Sequence, residues 1–220
     1  MLEPLAAVFD LVCPRACFRC RRPLRDDAAL CDPCLRAFAP PEVPAVSGLD
    51  ACAAGAAYVG EVEAWVRAFK YPPAFALPDA GPEAMLAALL TRAARALPGG
   101  PPDLVVPVPL HRKRLRRRGF NPAALIARRL AHGGGARLDP VALARLRDTP
   151  SQTGLDARAR RRNVAGAFRF ARAGPAPRRV WLVDDVVTTG ATLAAAAGAL
   201  RAAGAISVVG LAAAATERRR

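Results

Sequence analysis

The sequence predicts an α/β fold, a mostly parallel sheet flanked by helices, preceded by a small N-terminal cysteine module. Three observations point there. From residue 103 onward, apolar runs of strand length alternate with helical patterns. One of those runs, Val180–Val183, leads straight into two acids and a Thr-Thr-Gly turn before a helix. Five of the six cysteines fall within residues 1–45, four of them in paired Cys-x-x-Cys motifs.

Composition divides the chain into three zones. Residues 1–45 carry the cysteine module and end in Pro40-Pro41-Glu42-Val43-Pro44. Residues 46–100 read as a mainly helical linker or hood. Glu61–Lys70 places Val62, Trp65, Val66 and Phe69 at helical spacing, and Pro82–Leu97 presents a second apolar face. Leu97-Pro98-Gly99-Gly100-Pro101-Pro102 breaks the chain before the third zone, residues 101–220. There Leu104–Val108 reads as a strand and Pro122–His132 as a helix, with Asn121 as N-cap and Pro122 at the first helical position. Leu138–Leu146 reads as a strand or irregular, and 147–163 as a long polar, basic loop. Ala167–Phe170 and Val180–Val183 follow as strands, Ala191–Ala203 as a helix and Ile206–Leu211 as a strand.

The chain of 220 residues suffices for one good-sized domain plus a small module. A hydrophobic fraction of 53% excludes wholesale disorder, and with only 5% aromatics the core must be built from small aliphatic pieces. Met1–Pro14 lacks a basic n-region and carries Glu3 and Asp10, unlike a signal peptide. The longest uncharged apolar run, Ala202–Ala215, is too short and alanine-rich to span a bilayer about 30 Å thick, so a cytoplasmic location without membrane insertion is expected. The net charge of +15 favours a polyanionic partner: phosphates, diphosphates or nucleic acid. The charge is clustered at 112–118, at Arg158 with Arg160–Arg162, and at Arg218–Arg220; lysine occurs only as Lys70 and Lys113.

The segment Asp184-Asp185-Val186-Val187-Thr188-Thr189-Gly190-Ala191-Thr192 carries the clearest chemistry. Paired carboxylates at the end of a buried strand stand at a crevice mouth, where they can accept hydrogen bonds from the vicinal hydroxyls of a ribose. The following turn offers hydroxyls and backbone N–H groups, Gly190 allows close approach, and the helix adds its positive end, which together make an anion cradle. No Gly-Lys-Ser/Thr follows, so this is not the Walker pattern. A second basic element, Val105-Val106-Pro107-Val108-Pro109-Leu110 followed by His111 and the arginine cluster, closes with Arg118-Gly119-Phe120-Asn121. Arginine suits phosphate oxygens through planar, multi-donor contacts, and Arg118 and Asn121 are the expected ligands here. His111 reads as a surface residue with nothing nearby to orient it. The stretch Arg147–Phe168 is expected to close over the site, excluding water and bringing Arg160 onto a leaving diphosphate.

Cys17-Phe18-Arg19-Cys20 and Cys31-Asp32-Pro33-Cys34 form two knuckles ten residues apart. Four thiolates at that spacing can close a tetrahedral, structural Zn²⁺ site in a segment too small for its own core. Disulfides or a redox dithiol are the alternatives, Cys13 could replace Cys17, and Cys52 reads as a buried free thiol.

The nine-residue string after the strand resembles the diphosphate-sugar signature of type I phosphoribosyltransferases. That resemblance implies binding of phosphoribosyl diphosphate (PRPP), with Mg²⁺ carried by its diphosphate. Asp184 and Asp185 would contact the ribose 2′- and 3′-hydroxyls, and Thr188–Thr192 would hold the 5′-phosphate. Hypoxanthine–guanine members of that group carry an acid where this chain has Thr188, so the adenine, orotate and amidotransferase branches are closer. The whole order of motifs is similar to the bacterial ComF competence-protein family: cysteine knuckles, Phe69-Lys70-Tyr71, Val-Pro-Val-Pro with Arg-Gly-Phe-Asn, Thr-x-x-Gln with Arg-x-x-Asn-Val, then the Asp-Asp signature. The chain departs from it in carrying Pro122 where the family usually has Gln. The resemblance implies a role in natural transformation, with single-stranded DNA and competence-machinery proteins as partners. Three functions stay open at this point: an active phosphoribosyltransferase acting on an amine or nucleobase, a zinc-containing DNA-binding factor, and a non-catalytic PRPP sensor.

Overall fold

The structure, a computed structural model, describes residues 16–24, 28–71, 80–97, 100–148, 164 and 166–217. In chain order its elements are α1 (Asp32–Arg36), β1 (Ala51–Ala57), α2 (Gly60–Lys70), α3 (Ala80–Arg95), β2 (Leu104–Pro107), α4 (Arg112–Arg118), α5 (Pro122–Gly134), β3 (Leu143–Arg145), β4 (Phe168–Phe170), β5 (Arg179–Val187), α6 (Ala191–Ala202) and β6 (Ser207–Ala215). Four strands form a wholly parallel sheet in the order β1-β6-β5-β2, and β3 and β4 make a separate antiparallel pair. The expected α/β architecture with a mostly parallel sheet flanked by helices is therefore present.

Both faces of the sheet are covered. On one, Val180, Leu182, Val208 and Ala212 pack against Leu193, Ala196, Ala197 and Leu200 of α6 and against Phe168 of β4. On the other, Val105, Val183 and Leu211 pack against α2, α3 and α5 through Val66, Leu86, Leu89, Leu90 and Ile126. The leucines of α3 and Ile126 are fully buried, each contributing about 1.5–3 kcal/mol of transfer free energy. The alanine-rich strands have a steric reason. A Cβ on Gly55 would lie 2.1 Å from the carbonyl oxygen of Leu89, so α3 rides on β1 at a distance only glycine permits.

Three elements differ from the sequence expectation. Within 46–100, read as mainly helical, Ala51–Ala57 is the sheet's edge strand β1. Its sequence, Ala-Cys-Ala-Ala-Gly-Ala-Ala, has no β-branched residue, and pairing with β6 overrides its propensity. The arginine cluster, to which the sequence reading assigned no element, is the helix α4, ended by Gly119. The strand expected at Val180–Val183 runs on to Val187, which places Asp184 and Asp185 inside β5 rather than beyond it. Both nevertheless line the crevice, because β2 stops pairing with β5 before it reaches them. The last bond of β2 to β5 is from the Val108 N–H to the Val183 carbonyl at 2.8 Å. Beyond it the Val108 carbonyl accepts from the Asn121 amide and the Asp185 N–H is held by the Asp184 side chain, so β5 continues with an open edge.

The cysteine module packs on the outer side of α3, with Cys17, Leu30, Cys31 and Cys34 against Met85. Phe38 meets Trp65 of α2 edge-on at 5.2 Å, and Arg19 pairs with Glu61 at 3.0 Å. Arg92 of α3 donates from Nη1 to the carbonyls of Leu35 and Phe38, at 2.5 and 2.6 Å, binding the end of α1 to the helical layer.

Candidate functional site

A cavity of about 890 Å³ opens at the carboxyl ends of β2 and β5, where ligands of open α/β sheets bind. The cradle residues Asp184, Asp185, Val186, Val187, Thr188, Gly190, Ala191 and Thr192 line it, together with Arg118 and Asn121. Thr189 is half-buried and does not line it; its hydroxyl accepts from the N–H of Ala191 at 3.4 Å. Gly190 caps α6 in the left-handed region at φ 73°, and a Cβ there would lie 2.6 Å from Cγ2 of Val46. The turn thus needs glycine for two separate reasons, one conformational and one steric.

The two acids are held differently. Asp185 is the one charged residue buried among the described residues. Its Oδ2 pairs with Nζ of Lys70 at 3.0 Å, and its Oδ1 accepts the N–H of Val186 at 2.8 Å. Asp184 accepts the N–H of Asp185 on Oδ1 at 2.9 Å. Burial and then the neighbouring Asp185 charge push the Asp184 carboxyl up to about 7, against the opposing pull of Lys70. Burial disfavours the ammonium of Lys70, but Asp185 and Asp184 together raise it above its usual value. Asp184 therefore gains a proton more easily than an ordinary carboxyl.

The walls around the acids are basic. Arg67, Lys70, Arg114, Arg118 and Arg145 line the cavity against three acids, Glu63, Asp184 and Asp185. Arg118 lies 5.1 Å over the ring of Tyr71, and Arg145 lies 5.4 Å over Phe168. The amide of Asn121 donates to the carbonyl of Val108 at 3.0 Å rather than capping α5, so it fixes the exit of β2 against the start of that helix. His111 caps α4 through Nδ1 and lies 3.5 Å from Asp148, which corrects the expectation that nothing nearby orients it. Arg160 and most of the proposed closing loop lie outside the described residues.

Lys70 and Arg145 are site residues that sequence reasoning missed. Lys70 carried a signal, as one of only two lysines in an arginine-rich chain and the centre of Phe69-Lys70-Tyr71. Arg145 had none, because its β3 was not distinguishable from irregular chain.

At the other end of the molecule, the Sγ atoms of Cys17, Cys20, Cys31 and Cys34 all lie within 4.8 Å of one another. Four thiolates about 2.3 Å from one zinc ion stand roughly 3.8 Å apart, and Cys20 and Cys31 are 3.6 Å apart. All four are free thiols, as is Cys52. Burial opposes ionisation of Cys17, yet backbone N–H groups of Cys20, Cys31 and Arg19 outweigh it and bring the thiol down to about 6. The donor set fits a structural zinc ion: four soft ligands, tetrahedral spacing, and no position left open for chemistry. Cys13 lies outside the described residues, and Cys17 occupies the fourth place. Cys52 is half-buried beside the acid pair, and burial followed by the charge of Asp184 pushes its thiol up to about 11. No helix among the described residues is long and apolar enough to cross a membrane.

No protein-family model matches the chain. It is 42% identical over 120 residues to the DNA utilization protein YhgH of Salmonella typhi, covering 54% of this chain and 52% of that protein. The protein of the same name from Escherichia coli (strain K12) is 42% identical over 107 residues, 49% of this chain and 47% of that one. Competence protein F of Haemophilus influenzae is 42% identical over 94 residues, 42% of this chain and 41% of that protein. The chain spans about half the length of the curated relatives it matches. Over that half it is homologous to proteins named for DNA utilization and for competence, in keeping with the ComF resemblance of its motifs, and its clustered cysteines fit a zinc module.

Proposed function

We propose that this chain is a ComF-type protein whose cavity binds PRPP or a related phosphorylated sugar, on a type I phosphoribosyltransferase-like core, in the service of DNA utilization. The observation that carries the reading is the strand–turn–helix of β5 and α6: two acids, a threonine turn and a helix N-terminus lining one basic cavity. Acids accept hydrogen bonds from sugar hydroxyls, while the turn and helix end supply N–H donors to a 5′-phosphate. Arg118 and Arg114, which line the cavity, would meet the diphosphate, and Arg160 would join them from the closing loop. Mg²⁺ bound with the diphosphate would neutralise part of its charge. Zinc would hold residues 1–45 in shape as a separate module; the proposed hood, residues 46–100, also gives strand β1 to the sheet of the core, residues 101–220.

Were the site to catalyse transfer, an amine or nucleobase would form a bond to ribose C1 as the C1–O bond to diphosphate breaks. The acceptor's proton would pass to solvent. Such a dissociative reaction asks the protein for positioning and charge neutralisation more than for a nucleophile.

The names of the relatives, DNA utilization and competence, favour a second reading, in which the chain acts on DNA. Single-stranded DNA and competence-machinery proteins as partners in the cytoplasm would follow from the ComF resemblance. The helix α4, Arg-Lys-Arg-Leu-Arg-Arg-Arg with no acid in its first turn, supplies a basic surface for a phosphate backbone. The two readings are compatible, because α4 reaches the cavity only through Arg114 and Arg118.

Calorimetric titration with PRPP and Mg²⁺ tests the first reading, wild type beside Asp184→Asn/Asp185→Asn. Saturable binding that the double variant loses supports it, and diphosphate release then identifies acceptors. A folded, zinc-loaded wild type that takes up no PRPP rejects the reading and leaves the DNA role.

A further inference from the structure

The triplet Phe69-Lys70-Tyr71 closes α2, and its three side chains go to three places: Lys70 and Tyr71 line the cavity, and Phe69 is buried behind it. Phe69 is buried and meets Phe120, between α4 and α5, at 5.6 Å between ring centroids. Lys70 reaches Asp185 on β5 at 3.0 Å. Tyr71 lies beneath Arg118 at 5.1 Å. The aromatic flanks fix the end of α2, and between them the lysine enters the cavity. The position suits a cation, since it is the last helical residue, at the negative end of the helix.

What the contact does to the two acids follows from counting their oxygens. Both oxygens of Asp185 are engaged, Oδ2 by Lys70 and Oδ1 by the Val186 N–H. Asp184 uses Oδ1 for the Asp185 N–H, and its Oδ2 has no hydrogen-bond partner among the described residues. An ammonium carries three donors, and the bond to Asp185 uses one. Lys70 is about a quarter exposed and Asp185 about a tenth, so the remaining donors face the cavity while the tether is shielded.

We propose that Lys70 is a ligand-binding cation of this cavity: tethered by Asp185, its ammonium meets an anionic oxygen of the phosphorylated sugar, while Asp184 takes the sugar hydroxyl. The inference rests on the reading of the cavity as a phosphosugar site and makes it more specific. The two acids cease to be equivalent. Asp184 touches the ligand, and Asp185 is a positioning residue that acts through Lys70.

A double-mutant cycle separates these roles. Ribose 5-phosphate is titrated calorimetrically into zinc-loaded protein carrying Lys70→Met, Asp185→Asn, both together, and Lys70→Met with Asp184→Asn. Loss of a charge-assisted contact weakens binding roughly tenfold or more. Lys70→Met and Asp185→Asn should each show that loss, and the pair together should lose no more than either alone. Lys70→Met with Asp184→Asn should lose more than either alone, because the two side chains would touch different parts of the ligand. The Lys70→Met/Asp185→Asn protein removes both members of the buried ion pair together, so it reports even if a single variant fails to fold. Binding by that double variant within twofold of wild type overturns the proposal, as do losses at Lys70 and Asp185 that multiply. If wild type binds neither ribose 5-phosphate nor PRPP, the phosphosugar reading itself has failed, a result distinct from wild-type binding that is indifferent to Lys70.

Discussion

Replacing Gly190 by alanine tests the geometry of the cradle most sharply. The residue sits at φ 73°, where an L side chain costs about 1–2 kcal/mol. Its new Cβ would meet Cγ2 of Val46 at 2.6 Å and Cγ1 at 3.2 Å. Val46 is buried in the core beside α6, so it has little room to retreat, and overpacking of this kind costs about 1–3 kcal/mol. The two effects sum to about 2–5 kcal/mol. Urea unfolding of the zinc-loaded protein reads the loss directly. Val46→Ala alone should cost about 1.6 kcal/mol, two methyl groups' worth. In the double variant the alanine at 190 can occupy the space vacated by Val46, so the combined loss should fall short of the sum by about 1–2 kcal/mol. The conformational part should remain. A Gly190→Ala protein within 0.5 kcal/mol of wild type (roughly the additivity error), or strictly additive losses, would refute the account of the turn.

Three further outcomes follow from other contacts. Because Asp184 has a carboxyl raised to about 7 in the fold against about 3.9 when unfolded, the folded chain holds more protons between those values, and its stability contribution falls as pH rises through that window. Asp184→Asn should therefore raise the melting temperature more at pH 8 than at pH 5, and an equal shift at both would contradict the buried pair. Arg92→Met removes two hydrogen bonds to Leu35 and Phe38, and it should cost about 1–3 kcal/mol in urea unfolding while speeding proteolysis of the cysteine module. Cys34→Ser should abolish stoichiometric zinc in a colorimetric release assay, where wild type releases one ion per chain; retained zinc would place the ligands elsewhere.

Much of the fold was legible because its elements obey local rules. Pro122 at the first helical position marked the start of α5, and the β-branched runs at Leu104 and Val180 marked the two strands that carry the site. β1 and the end of β6 were not legible, since alanine favours helix and only pairing makes these segments strands. α4 was missed for the opposite reason. Arginine is a good helix former, but Arg112–Arg118 has a single apolar residue and no amphipathic period to reveal it. At the site, the cradle could be read because its residues are contiguous. Lys70 could not be given its role, because its partner Asp185 is distant in sequence and meets it only through the packing of α2 over the sheet.

The most direct test of a phosphosugar cavity is residue-resolved: backbone amide chemical shifts of ¹⁵N-labelled protein during titration with ribose 5-phosphate. The account predicts the largest changes at Thr188–Thr192, where the turn and the N-terminus of α6 would donate to the phosphate, with smaller ones at Lys70. Changes confined to Arg112–Arg117, with the turn silent, would contradict it and mark α4 as the anion-binding surface instead.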